Sequence, residues 1–196
     1  TRERLVIKVG VLELQGNFAL HHSILSKLRI ESISVKTEND LKSIDGLIIP
    51  GGESTTISLL IESFNLRGPL INFAKNNPVM GTCAGLIMMA RKVSDNKVNP
   101  LGLINIDVDR NAYGRQIVSK TEVVKFNFNK KRSLSLETTF IRAPRIIKID
   151  DKIKIIGKYN GDPIAILSNQ FLGLSFHPEL NNIMIFHQIL FDPNSE

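Results

Sequence analysis

A single cysteine cannot close an internal disulfide, so covalent stapling is excluded and Cys83 is either a buried apolar filler or a reactive thiol. A lone thiol also suits a reducing compartment. Long apolar runs are missing too: none approaches the length a helix needs to cross a bilayer. The amino terminus, Thr1-Arg2-Glu3-Arg4, runs at once into Leu5-Val6-Ile7, with no room for a secretory leader. The expectation is a soluble, cytoplasmic chain with no membrane contact. Aromatic residues are only 6% of the composition and no groove-reading or base-stacking motif occurs, so a net charge of +6 is a weak argument for nucleic acid. Its Lys and Arg are scattered, and the one compact run, Lys130-Lys131-Arg132, reads as a solvated loop. No repeat, low-complexity segment or linker divides the chain, which predicts one domain over 1–196.

What is present is alternation. Leu5 to Leu14 is β-branched and aliphatic and stops at Gln15-Gly16, the pattern of a buried strand and tight turn. Asn17 can cap a helix on which Phe18, Leu20, Ile24, Leu25 and Leu28 share one side, and Ile33 to Lys36 reads as the next strand. Gly46 to Ile49 is an apolar run halted by Pro50-Gly51-Gly52, with helical periodicity from Thr55 to Phe64. Pro78 to Gly81 repeats the pattern, followed by Thr82-Cys83-Ala84-Gly85 and a helix over Leu86 to Val93. After Pro100 the chain turns to β: Ile104 to Asp109, Thr121 to Phe128, Thr139 to Arg142, Ile153 to Ile156, Ile164 to Leu167 and Phe171 to Phe176 read as strands, and Asn182 to Leu190 as a last helix. The predicted fold is α/β, a single flavodoxin-like three-layer domain. Its central sheet is mostly parallel with helices on both faces, and its C-terminal half adds antiparallel strands. Both glycine-bearing turns then open on the carboxyl edge of the sheet, where ligands gather.

Gly81-Thr82-Cys83-Ala84-Gly85 has the form of a strand-turn-helix nucleophile elbow with Cys at its tip. Small residues two before and two after the tip let strand and helix approach. The start of a helix also favours the thiolate. Taken alone, the segment fits a buried small residue about as well. In Phe176-His177-Pro178-Glu179, residues two apart on an extended segment point the same way, so Glu179 can orient His177 as a general base. By itself the tetrapeptide reads more readily as a surface turn with a chance His and Glu. Pro50 to Thr55 resembles a phosphate cradle but lacks the P-loop Lys and carries Glu53, so its backbone N–H groups better suit an oxyanion, with Gly52 and Ala84 as the donors, although taken alone the segment reads more readily as a plain strand-to-helix turn. His21 and His22 have no ligand-spaced partners, so no metal or cofactor is expected. His187 reads as a packing or surface residue.

Together these three segments meet the needs of thiol-mediated amide hydrolysis, and with three others they are recognisable. Gly10 to Gly16, Pro50 to Thr56, Gly81 to Gly85, Asn111-Ala112-Tyr113-Gly114-Arg115-Gln116, Phe140-Ile141-Arg142-Ala143-Pro144 and Ser175 to Leu180 occur in this order. In that set the chain resembles the glutaminase subunits of pyridoxal 5'-phosphate synthases, a branch of the class I glutamine amidotransferases. The resemblance implies a triad in which Cys83 attacks the side-chain amide of L-glutamine, His177 passes the proton to ammonia and Glu179 positions His177. It implies a substrate pocket of Gly51, Gly52, Glu53, Arg115, Ile141 and Arg142. It also implies a TIM-barrel synthase subunit that receives the ammonia through a tunnel, contacts the Gln15 loop and activates the glutaminase on docking. The Arg115 and Arg142 segments speak against a glutaminase for another synthase or a thiol peptidase, and the intact triad against a scaffold that has lost catalysis. Two departures stand out. Leu180 is followed by Asn181-Asn182-Ile183 rather than Thr and an acidic residue, which touches only the cap of the last helix. The polar, basic stretch Phe126 to Leu136 is expected to be an extended hairpin loop.

Overall fold

The alternating apolar runs of the first half fold into βαβ units whose strands lie side by side. In the computed structural model of the chain, which describes residues 7–112, 119–192 and 194–195, this half runs β1 (Lys8–Leu12), α1 (Ala19–Lys27), β2 (Glu31–Val35), α2 (Glu38–Leu41), β3 (Gly46–Ile49), α3 (Ser54–Ser63), α4 (Arg67–Ala74), β4 (Val79–Thr82) and α5 (Ala84–Met89). It continues with β5 (Ala90–Val93), β6 (Ile104–Asp109), β7 (Lys120–Asn127), β8 (Ser133–Phe140), β9 (Arg145–Ile149), β10 (Lys154–Tyr159), β11 (Asp162–Ser168), β12 (Phe171–Leu174) and α6 (Ile185–Phe191). A 3-10 turn, Pro178–Asn181, precedes α6.

Nine strands form one sheet in the order β2-β1-β3-β4-β12-β11-β10-β7-β8, and β5, β6 and β9 form a second. Pairings of β1 with β2 and β3, of β3 with β4 and of β4 with β12 are parallel. Those that join β12, β11, β10, β7 and β8 in turn are antiparallel. The mostly parallel sheet expected from the sequence is therefore corrected to a mixed α/β fold, parallel in one half only. Short turns impose this on the pairs β7–β8, β10–β11 and β11–β12, since consecutive neighbouring strands without a crossover helix can only fold back. Asn160-Gly161 between β10 and β11, with φ of 50° and 86°, is such a turn.

Strand side chains alternate between two apolar cores. Leu47 and Ile49 of β3 and Val79 of β4 face one, covered by Leu41, Ile57, Leu70 and Leu86 of α2, α3, α4 and α5. Ile48, Met80, Leu172 and Leu174 face the other, closed by Leu25 of α1 and by Phe186 and Phe191 of α6. Among the described residues no helix is long and apolar enough to cross a membrane.

Several boundaries differ from the sequence reading. Helix α1 starts after Phe18 with no side-chain cap, so Asn17 does not cap it. Helix α4 was not foreseen; its Pro69 lies in the first turn, where no N–H is required of it. The expected helix Leu86 to Val93 divides into α5 and β5, and β9 was not foreseen. The supposed loop Phe126 to Leu136 is mostly the hairpin β7–β8, in register from Lys120↔Phe140 to Asn127↔Ser133, with only 128–132 as its turn. Its outer edge faces no further strand, so polar residues along it disguised β8. Asn182 is the left-handed end of the 3-10 turn rather than the cap of the last helix, which starts at Ile185.

The ring of Phe186 lies 5.2 Å from that of Phe126 and 5.3 Å from that of Phe176, joining α6 to β7 and to the segment that leads from β12 to His177. Phe186→Ala is expected to cost about 3–5 kcal/mol. Urea unfolding should show the loss as a lower midpoint with an unchanged slope.

Candidate active site

Strand β4 passes into α5 with Cys83 alone between them, at φ 51° and ψ −106°. A non-glycine residue there is strained, and the surroundings hold it in place. Its N–H donates to the Leu174 carbonyl at 2.8 Å. Close packing of α5 on β3 requires Gly85, where a Cβ would stand 1.9 Å from the Ile49 carbonyl oxygen. The Cys83 thiol points at the Ile141 carbonyl, 3.6 Å away. Helix α5 has only six residues, so the dipole expected to favour a thiolate is short, and the nearby charge comes instead from His177.

The chain leaving β12 carries His177, whose N–H donates to the Thr139 carbonyl at 3.1 Å. His177 and Glu179 are both buried, with Nδ1 2.7 Å from Oε1. They do not meet on an extended segment, as the spacing had suggested. Pro178 opens a 3-10 turn, and the turn swings Glu179 back beneath the ring. Burial alone would depress the His177 pKa, but hydrogen bonds to Cys83 and Glu179, and the negative charge of each, raise it to about 10. Burial is the largest influence on Glu179 and opposes its charge, but the His177 hydrogen bond, the neighbouring imidazoles and a backbone N–H together outweigh it, holding the carboxyl below its ordinary value. Desolvation loses on both sides because the two charges stabilise each other.

The turn after β3 closes the site. A Cβ on Gly51 would fall 2.5 Å from His177 Cε1 and 3.5 Å from the Cys83 Cβ, so only glycine fits between nucleophile and base. The Gly51 carbonyl accepts the Asn17 N–H at 2.9 Å, and the planar peptide sends the Gly52 N–H the opposite way. Gln15 Oε1 accepts the Glu53 N–H at 2.8 Å. The loop between β1 and α1 thus holds the glycine turn by two hydrogen bonds.

A cleft of about 600 Å³ opens above these groups, lined by Gly52, Glu53, Cys83, Ala84, Arg110, Ile141, Arg142 and His177 among others. Ile141 and Arg142 arrive from the end of β8, with Arg142 at φ 45°. Arg115 lies outside the described residues. Glu53 is less free than the sequence reading supposed. Its carboxylate caps α3, accepting from the Thr55 N–H at 3.1 Å and the Thr56 N–H at 2.7 Å, with Arg110 Nη1 at 3.4 Å. Burial works against its charge, but these donors, with the Thr56 hydroxyl, hold its pKa below the usual value.

Two site residues escaped the sequence reading. Arg110 bridges Asp95 at 2.7 Å to the hydroxyls of Ser54 and Thr55, each at 2.8 Å, and so braces the glycine turn from β6. Its one signal was its place directly before the Asn111 to Gln116 segment. His21, set aside as a residue with no ligand-spaced partner, lies fully buried behind Glu179. Among the described residues no group of three or more His, Cys, Asp or Glu could hold a metal ion.

The profile of the SNO glutamine amidotransferase family matches residues 11–192. A pyridoxal 5'-phosphate synthase subunit PdxT of Solibacter usitatus is 41% identical over 186 residues, which are 93% of this chain and 96% of the relative. The subunit of that name from Oenococcus oeni is 40% identical over 184 residues, 94% of this chain and 95% of the relative. A crystal structure described as a glutamine amidotransferase superposes with a TM-score of 0.86 at 32% identity, covering 93% of this chain and 96% of the other.

Glu179→Gln keeps the shape of the pair but removes the charge that helps hold the proton on His177. The His177 titration, followed by NMR, should move down from about 10 towards 6.5. Because the folded pKa lies above the ordinary one, the charged imidazole contributes stability that is complete below 6.5 and lost as pH rises through about 10. The melting-temperature advantage of the native protein over this variant should accordingly be larger near pH 6 than above about pH 10.

Proposed function

The chain belongs to the SNO glutamine amidotransferase family, and from that premise we propose how its cleft hydrolyses glutamine and which residues do so. It is an enzyme with glutaminase activity that supplies ammonia for vitamin B6 synthesis, and it acts with a partner synthase subunit. The triad is Cys83, His177 and Glu179. What carries this assignment is the buried 2.7 Å contact of His177 with Glu179 on a ring whose charge the Cys83 sulfur also supports.

Cys83 passes its proton to His177 and attacks the side-chain amide carbon of L-glutamine as the thiolate. The oxyanion that develops is received by the N–H groups of Gly52 and Ala84. His177 gives its proton to the departing nitrogen, which leaves as ammonia, and a thioester remains on Cys83. Water then adds to the thioester, His177 takes up its proton, and glutamate departs. Glu179 stays ionised throughout and fixes the orientation of the ring.

Arg142 and Arg115 are the partners proposed for the substrate α-carboxylate, since a guanidinium presents two parallel N–H groups to it. Glu53 is the partner for the α-ammonium, its second lone pairs remaining beside the α3 cap, and Ile141 and Gly51 shape the walls. The ammonia acceptor is a synthase subunit with a TIM-barrel fold, docking against the loop that carries Gln15. Support for that position is the pair of hydrogen bonds from the Gln15–Asn17 loop to Gly51 and Glu53, through which a force on the loop reaches the proposed oxyanion site. Residues 1–196 form one glutaminase domain. The parallel order β2-β1-β3-β4-β12 makes that half flavodoxin-like. The cytoplasm, where a lone thiol stays reduced, is the compartment that suits it.

Glutamate release should rise when the synthase subunit is added, and the absence of any rise would remove that partner. In the presence of the synthase, Cys83→Ala is expected to lower release by roughly 10⁴- to 10⁶-fold while the two chains still co-elute on sizing. Undiminished release would eliminate Cys83 as nucleophile.

A further inference from the structure

Behind the triad lies a second pair of imidazoles that the chemistry above leaves unused. His21 of α1 and His187 of α6 are fully buried, with His21 Nδ1 2.8 Å from His187 Nε2. The other nitrogen of His21, Nε2, faces Glu179 Oε2 at 3.8 Å and the Thr82 hydroxyl at 3.5 Å. It therefore stands between the carboxylate that orients the base and the residue that precedes the nucleophile. Glu179 Oε2 has less than 1 Å² of exposed surface and no hydrogen-bond partner, although Oε1 is bound to His177. A buried carboxylate oxygen left without a donor is costly, and His21 Nε2 is the ring nitrogen facing it.

The network permits one economical placement of protons. If His21 carried its proton on Nδ1, it would donate to His187 Nε2. His187 would then bear an N–H on Nδ1, which is buried without a partner. The lone pair of His21 Nε2 would also face that of a carboxylate. With both protons on Nε2 instead, His187 donates to His21 Nδ1 and His21 donates towards Glu179, and the one group left over is an acceptor. We propose that His21, fixed as the Nε2–H tautomer by His187, is a positioning residue that supplies the missing donor to Glu179 and so keeps the carboxylate ionised and aimed at His177.

Burial pushes both histidines down to about 3, so the pair stays neutral and acts through a dipole rather than a charge. The groups facing Glu179 are His177 from its own turn, His21 from α1, backed by His187 from α6, and Thr82 from β4. His22 turns away, towards Glu13 at 2.6 Å and Ser32 at 2.7 Å. This role rests on the triad reading and extends it by two residues.

Nitrogen-15 NMR of the unmodified protein should find both imidazoles as Nε2–H between about pH 5 and 8. A proton on His21 Nδ1 overturns the assignment whether or not any variant folds. Measured with the synthase, His21→Phe is expected to lower kcat roughly 10- to 100-fold, the effect of losing one hydrogen bond to a charged group, with KM unchanged. It should also move the His177 titration down. His21→Gln, which can still offer an N–H, should recover most of the loss. Equal loss in both variants would assign the effect to packing and overturn the role, as would native kcat and native His177 titration in His21→Phe. His187→Phe should release the tautomer of His21 and lower kcat in the same direction, and an unchanged tautomer in that variant removes His187 from the device. Failure of the glutaminase reading is separately visible, as no glutamate from the native complex while the tautomers remain as stated.

Discussion

Parallel pairing of β4 with β12 sets Gly81 against Gly173 and Thr82 against Leu174, joining segments about ninety residues apart. The next residue of β4 is the elbow and the next residues of β12 lead to His177, so one register fixes the distance between nucleophile and base. The Cys83 N–H to Leu174 carbonyl bond extends that register by one residue, into a backbone conformation that a cysteine does not favour. A shift of one residue would reverse the direction of every side chain along β12 and send the imidazole away from the thiol. Gly51 then closes the gap from β3, the strand on the other side of β4.

Electrostatics in the site follow from how unequally burial treats its imidazoles. His177, His21 and His187 all lose water, which disfavours their charged forms. Only His177 has both the Glu179 carboxylate and the Cys83 sulfur against it, and only its pKa rises. The other two share a single hydrogen bond and are depressed. A charged imidazole in front of Glu179 and a neutral pair behind it give the carboxylate two unlike neighbours.

The glycine turn is held from two directions. Gln15 and Asn17 reach it from the loop after β1, and Arg110 reaches its capping residue from the end of β6. A loop tied in this way transmits displacement, because its backbone hydrogen bonds cannot all be kept if the neighbouring loop moves. Coupling between docking and chemistry, as proposed above, needs no more than this contact.

The members of the proposed triad could be picked out as candidates because each sits in a short segment with a strong local signal: glycines around Cys83, a proline between His177 and Glu179, although the 3-10 turn that joins the last two was not foreseen. The alternating first half was legible for the same reason, since buried parallel strands and the helices that cover them carry strong apolar periodicity. Strand β8 was legible only at its end, because an edge strand with polar residues resembles a loop, so the hairpin that presents Ile141 and Arg142 was expected with too long a loop. Arg110 and His21 could not be found from spacing, for their partners, Ser54 and Asp95 in one case and Glu179 and His187 in the other, are distant along the chain. The amino-acid sequence by itself determined which groups could react and which strands would be buried, since these depend on neighbours a few residues away. The tertiary structure alone decided which charges meet and which imidazole keeps its proton, because pairing across the sheet and loss of water exist only once the chain is packed.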